Sequence, residues 1–363
     1  MRFVRLFLLM SVLVRTALAE NLVLMNGWII DGTGKPRVAG NLRIRDGKIA
    51  DIGLFKPAPG ETLLDVKGMI VAPGFIDLET LSIAALEKDM DARAAITQGV
   101  TTAILGSDGA GPYSIEDFMQ PFDDKLPAVN IAMLVGHSTV RRQILGVDYK
   151  HPAKEDEIQR MGELVENAMR QGAFGFASDL RAEPASFSTA DEMLALAKAA
   201  ARFGGTLFLH PRDEKIQEPL ELARNTKVAL QLSLNALTAT VLADLDKARM
   251  QGIDVGAHIY AFAESGRVLR SLLENPSLAI SFAQYLRDEK AVTLERVIQK
   301  LTGLPAARVA LRERGVLRKG VPADVAVFNP MLPSSGMKYV FVNGTLALKE
   351  GEPTHARSGQ ALR

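Results

Sequence analysis

Apolar positions divide the chain into two rhythms. Between residues 22 and 66 short apolar runs alternate with turn pairs. Leu22-Val23-Leu24-Met25 leads into Asn26-Gly27, Trp28-Ile29-Ile30 into Asp31-Gly32-Thr33-Gly34, and Asn41-Leu42-Arg43-Ile44-Arg45 into Asp46-Gly47. Asn-Gly and Asp-Gly favour the positive φ of tight hairpin turns, so this stretch predicts strands near 22–25, 28–30, 41–45, 49–52 and 63–66. From residue 69 the rhythm changes. Met69-Ile70-Val71-Ala72 is apolar throughout, as a strand covered on both faces is. Further apolar runs follow at 101–105, 130–135, 174–177, 206–209, 228–232 and 253–259, with amphipathic stretches such as 155–170 and 190–203 between them. Strand and helix alternating six or seven times predict a parallel sheet, and that repeat number favours a closed α/β (β/α) barrel of the TIM type. A helix is expected at 294–301, then strands at 324–328 and 338–342 with a turn at Asn343-Gly344. The terminal strands are too few at either end to bury a core alone. They are expected to pair in one small β-domain, residues 20–68 with 316–363, beside a barrel over 69–315.

The first nineteen residues read as a leader rather than as part of the fold. Arg2 and Arg5 precede a short apolar run over 6–14, and Ala17-Leu18-Ala19 supplies a small-x-small cleavage pattern. The run is shorter than the roughly 20 apolar residues that span a bilayer. The expectation is a signal peptide cleaved after Ala19, a mature chain without a transmembrane helix, and a periplasmic or secreted location.

Composition narrows the chemistry. The chain has 363 residues, 47% of them hydrophobic and 23% charged, with a formal net charge of +1. That balance makes no electrostatic case for nucleic acid. Cysteine is absent, which excludes disulfides, thiolate metal sites and cysteine nucleophiles. The histidines are five: His137, His151, His210, His258 and His355.

Several motifs then look familiar. Asp31-Gly32-Thr33-Gly34, Asp46-Gly47-Lys48-Ile49 and Val71-Ala72-Pro73-Gly74-Phe75-Ile76-Asp77 resemble the opening of an amidohydrolase. Gly99-Val100-Thr101-Thr102, Val135-Gly136-His137-Ser138-Thr139-Val140-Arg141, Gly172-Ala173-Phe174-Gly175 and His210-Pro211-Arg212-Asp213 are more particular. With Leu301-Thr302-Gly303-Leu304-Pro305-Ala306, Gly320-Val321-Pro322-Ala323-Asp324 and Val342-Asn343-Gly344, they resemble the N-acyl-D-amino-acid deacylases (D-aminoacylases) of the amidohydrolase superfamily. The resemblance runs in order from about residue 22 to the end. It implies a barrel with a small β-sandwich domain, and zinc-dependent hydrolysis of a linear amide in N-acyl-D-amino acids. Zinc in such a site polarises the amide carbonyl and lowers the pKa of the attacking water.

The resemblance weakens at the residues that would hold the metal. Where the family has His-x-His after the first barrel strand, this chain reads Asp77-Leu78-Glu79-Thr80-Leu81. Asp108, in Gly106-Ser107-Asp108-Gly109, stands where the deacylases carry a cysteine ligand. His210 keeps the fifth-strand histidine. The sixth-strand histidine is expected to fall on Leu234. The catalytic aspartate of the eighth strand has no counterpart, and the chain is short between Leu273 and Thr293, with residues 277–281 as a candidate eighth strand. Glu79, Asp108 and His210 are therefore the candidate metal ligands, since carboxylate and imidazole suit zinc, manganese or iron. The competing reading of His210 is a hydrogen-bonded histidine left at a former site. His137, Arg141, Arg212 and His258 are candidates for holding an N-acyl amino acid or similar small ligand, arginine because its fork matches a carboxylate. Loop-structuring and ion-pair roles compete with that reading. Asp179-Leu180-Arg181 also faces the expected pocket. Two functions follow: a hydrolase with a damaged or rebuilt site, and a non-catalytic binding protein using the old pocket.

Overall fold

The computed structural model describes residues 21–79, 82–213, 215–235, 238–259, 293–330 and 337–363. Both chain ends build one nine-stranded sheet. Its N-terminal members are β1 (Leu22–Ile29), β2 (Val38–Arg45), β3 (Lys48–Gly53), β4 (Thr62–Asp65) and β5 (Ile70–Pro73). The barrel strands are β6 (Phe75–Asp77), β7 (Val100–Leu105), β8 (Asn130–Met133), β9 (Val135–Gly136), β10 (Gly175–Asp179), β11 (Thr206–His210), β12 (Ala229–Leu234) and β13 (Val255–Ile259). The C-terminal strands are β14 (Val325–Phe328), β15 (Met337–Val342), β16 (Thr345–Lys349) and β17 (Glu352–Pro353). The large sheet runs β17-β16-β15-β14-β5-β1-β2-β3, with β4 beside β1. The turns expected at Asp46-Gly47 and Asn343-Gly344 are present, with positive φ at Asp46 and Asn343. Asn26, also at positive φ, lies inside β1 where the pairing with β2 shifts register, so the expected turn between strands at 22–25 and 28–30 is a bulge in one strand.

One boundary differs from expectation. The apolar run at 69–72 is not a barrel strand. β5 pairs in parallel with β1 and antiparallel with β14, so it belongs to the terminal sheet. A strand buried on both faces is equally at home in the middle of a sheet that the barrel covers, and apolarity alone cannot tell the two apart. The crossing into the barrel comes at Gly74, where a Cβ would lie 2.1 Å from Thr101 Oγ1. Only glycine fits there.

In the barrel, parallel pairing joins β6-β7-β8 in one stretch and β9-β10-β11-β12-β13 in another. Side chains alternate between two layers. Leu207 and Leu209 of β11 join the helix-facing core with Leu196, Ala197 and Ala200 of the helix Ala190–Ala201. Phe208 turns the other way, into a cluster with Ile76, Ile104, Ala132 and Ala177 from four other strands. That second cluster fills the barrel, as side chains rather than solvent do in this architecture. The strand-eight candidate at 277–281 lies outside the described residues.

Candidate active site at the barrel mouth

The period of two along β10 and β11 aims Asp179 and His210, one step past Ala177 and Phe208, into the barrel mouth. The two are paired in register. His210 is 2% exposed, and its Nε2 stands 2.8 Å from Oε1 of Glu79, which is 8% exposed. Its Nδ1 is 2.6 Å from a terminal guanidinium nitrogen of Arg181. Guanidinium can only donate, so Nδ1 accepts and the proton of the neutral ring sits on Nε2, facing Glu79. Arg181 also grips Asp179 with two N–H groups, each at 2.9 Å. Burial of Asp179 opposes its ionisation, but the side-chain and main-chain hydrogen bonds from Arg181, with the guanidinium charge, hold its carboxyl below the usual range. The mouth is thus a connected row of Glu79, His210, Arg181 and Asp179, with the neutral imidazole between a carboxylate and a guanidinium.

Local turns explain which carboxylates arrive and which do not. Asp77, Asp108 and Asp179 each accept the N–H of the residue two positions on, at 3.0, 3.0 and 2.9 Å. Such turns fold the chain back at a strand end. At β6 the turn delivers Glu79; at β10 it delivers Arg181. At β7 it leaves the exposed Asp108 carboxylate bonded to Ala110 N–H. The structure therefore brings Glu79 and His210 together but not Asp108, and among the described residues no three histidine, aspartate or glutamate side chains gather as a metal set.

Leu234 is also placed differently from expectation. It belongs with Leu230 and Leu232 to the helix-facing core. The residue of β12 level with His210 and turned inward is Ser233, because Leu209 pairs with Leu232. The alternation of a strand, not its last residue, decides which side chain reaches the mouth. His258 occupies the position of β13 opposite Ser233, and its side chain lies outside the described residues, as do Thr80 and Leu81.

Two residues expected to hold a ligand lie in a buried hydrogen-bonded network. His137 and Arg141 are both 0% exposed. His137 Nε2 is 2.8 Å from Glu192 and its Nδ1 is 2.8 Å from Ser178 Oγ. Arg141 pairs with the same Glu192 carboxylate and bonds the carbonyls of Tyr149 and His151. Burial pushes the Glu192 carboxyl up, yet the hydrogen bond and charge of His137 and the Arg141 guanidinium hold it below its ordinary value. Ser178 points outward because Asp179 points in, which puts this network behind the mouth rather than in it. Arg212 remains exposed, its guanidinium braced on the carbonyls of Ser186 and Ser188 at 2.6 Å each. These contacts are to neutral oxygens.

No family model matches the chain. It is 26% identical to the N-acyl-D-glutamate deacylase of Alcaligenes xylosoxydans xylosoxydans over 94% of this chain and 96% of that protein. The D-aminoacylase of the same organism is also 26% identical, with 94% and 97% covered. The crystal structure of an N-acyl-D-glutamate deacylase from Bordetella bronchiseptica, complexed with zinc and a phosphonate inhibitor, superposes with a TM-score of 0.81. It shares 26% identity and covers 95% of this chain and 99% of that one. D-hydantoinase shares the fold, with a TM-score of 0.68 at 14% identity, 94% of this chain and 98% of that one being covered. In fold, motifs and relatives alike, this chain resembles the D-aminoacylases of the amidohydrolase superfamily.

Proposed function

We propose that this chain is an exported amidohydrolase-fold protein that binds an N-acyl amino acid or similar small carboxylate at the barrel mouth, with its metal-dependent deacylation impaired or lost. One observation carries the reading: the clamp on His210. Zinc takes an imidazole through a nitrogen lone pair. Here Nδ1 gives its lone pair to Arg181, and Nε2 turns its proton towards Glu79. A divalent ion on the Nδ1 side would also meet the fixed charge of Arg181. The residues present do not fit a catalytic zinc.

What the mouth keeps is the means to hold an anion. Arg212 is open to solvent at a strand end, and a guanidinium matches a carboxylate. The names of the relatives, deacylases of N-acyl-D-glutamate and N-acyl-D-aspartate among them, support the substrate class. The leader-like residues 1–19 support export. The test is calorimetry of the purified mature chain with N-acetyl-D-glutamate, alongside an assay for free D-glutamate with zinc supplied. Saturable binding with no release above background is expected. Turnover that requires zinc would reinstate the hydrolase.

A further inference from the structure

Resting on that reading, we propose that Arg181 is a built-in substitute for a metal ion: its guanidinium holds the place between Asp179 and His210 that a divalent cation would take, and keeps one out. The geometry at that point is specific. A single nitrogen of Arg181 lies 2.9 Å from Asp179 Oδ2 and 2.6 Å from His210 Nδ1. One anionic oxygen and one imidazole nitrogen converging on a point form a donor pair that first-row metals accept. Metal–ligand bonds to these atoms run at about 2.0–2.2 Å, so only a modest contraction separates the arginine-filled arrangement from a metal-filled one.

The backbone builds the guanidinium into this place. Asp179 Oδ1 accepts the main-chain N–H of Arg181 at 2.9 Å and its Nε–H at 2.9 Å. Leu180 N–H donates to the carbonyl of His210 at 3.0 Å, tying the loop to the neighbouring strand. The same carboxylate thus turns the chain and receives the side chain. Arginine stays protonated throughout the accessible pH range, so the positive charge is permanent and needs no supply of metal. The ring of His210 is fixed from both sides, by a donor at Nδ1 and a carboxylate at Nε2, which is how outer partners orient a liganding histidine.

The experiment is a zinc titration of the mature chain by calorimetry, with bound metal counted after gel filtration, on wild type, Arg181→Met, Arg181→Lys and Arg181→Met/His210→Ala. Arg181→Met is expected to gain zinc affinity by at least about tenfold, the scale on which outer partners change metal binding. Arg181→Lys should stay with wild type, and adding His210→Ala should abolish the gain. If the methionine variant does not fold, Arg181→Gln, which keeps a donor and drops the charge, should show the same gain. Nitrogen-15 spectra supply a second readout: an unprotonated acceptor Nδ1 on His210 in wild type, perturbed by zinc only in the charge-free variants. Charge-free variants that take up no more zinc than wild type overturn the inference alone. A full equivalent of zinc on wild type, lost with His210→Ala, overturns the reading of function beneath it.

Discussion

At the scale of single residues, the chain spends its charged groups in two different ways. Glu192 is fully buried between His137 and Arg141, and its carboxyl is held below its ordinary value of 4.5. A depressed folded-state pKa means that the unfolded chain binds the proton more readily. The contribution is therefore complete above about pH 4.5 and is lost as pH falls through the lowered folded value. Glu192→Gln should destabilise the protein by roughly 3–5 kcal/mol, because it leaves the Arg141 charge buried without its partner. Urea unfolding from pH 3 to pH 7 checks both points: the acid limb of the stability curve should be shallower in the variant. This network was hidden in the sequence for a physical reason. Thr189 and Glu192 are spaced as a capping box, and Thr189 does cap the helix through Glu192 N–H at 3.2 Å. The glutamate looks like half of that cap, while its carboxylate reaches another helix. His210 and Glu79 were legible as strand-end residues; Arg181 was visible only as a residue facing the pocket. Its grip on His210 depends on a turn two residues long, which no periodicity reports.

At the scale of elements, alternation was easy to read and its phase was not. The apolar residues of β12 are evident, but Leu234 was expected at the mouth and faces the helices instead, leaving Ser233 inward. An apolar residue closing a strand follows its neighbours into the core; the polar one between them goes to the mouth. The end of the chain carries a contribution that its polar sequence conceals. Ile131 donates to the carbonyl of Gln360 at 2.9 Å, and Leu362 and Gly359 donate to Ile131 and Pro127 at 2.8 Å each. Leu362 then packs against the barrel interior. Removing residues 359–363 should cost roughly 3 kcal/mol, at about 1 kcal/mol net for each of the three main-chain hydrogen bonds. A lower urea midpoint with unchanged far-ultraviolet circular dichroism is the expected result, and an unchanged midpoint would show that the tail merely lies on the surface.

At the scale of the whole molecule, the barrel and the joining of both ends in one sheet were legible because they rest on many repeated signals. The site was only partly so, because single side chains at strand ends decide it, and no repeated signal marks them. The alignment with the N-acyl-D-glutamate deacylase spans 472 positions against 363 residues in this chain, so more than a hundred of those positions have no residue here. The short stretch between Leu273 and Thr293 is where the sequence expects such a loss; it lies outside the described residues. Among the described residues no helix is long and apolar enough to cross a membrane. Export predicts a mature chain that begins at Glu20, following Ala17-Leu18-Ala19. Terminal sequencing of protein recovered from a periplasmic fraction checks this, and an intact Met1 in the cytoplasm would refute it.

In the proposed function, Arg181 and Glu79 keep His210 from metal chemistry. The measurement that tests it most directly is the zinc content of the mature wild-type chain after dialysis against zinc and gel filtration. Far less than one zinc per chain, unchanged by His210→Ala, is the expected result. One zinc per chain, lost when His210 is replaced, would contradict it.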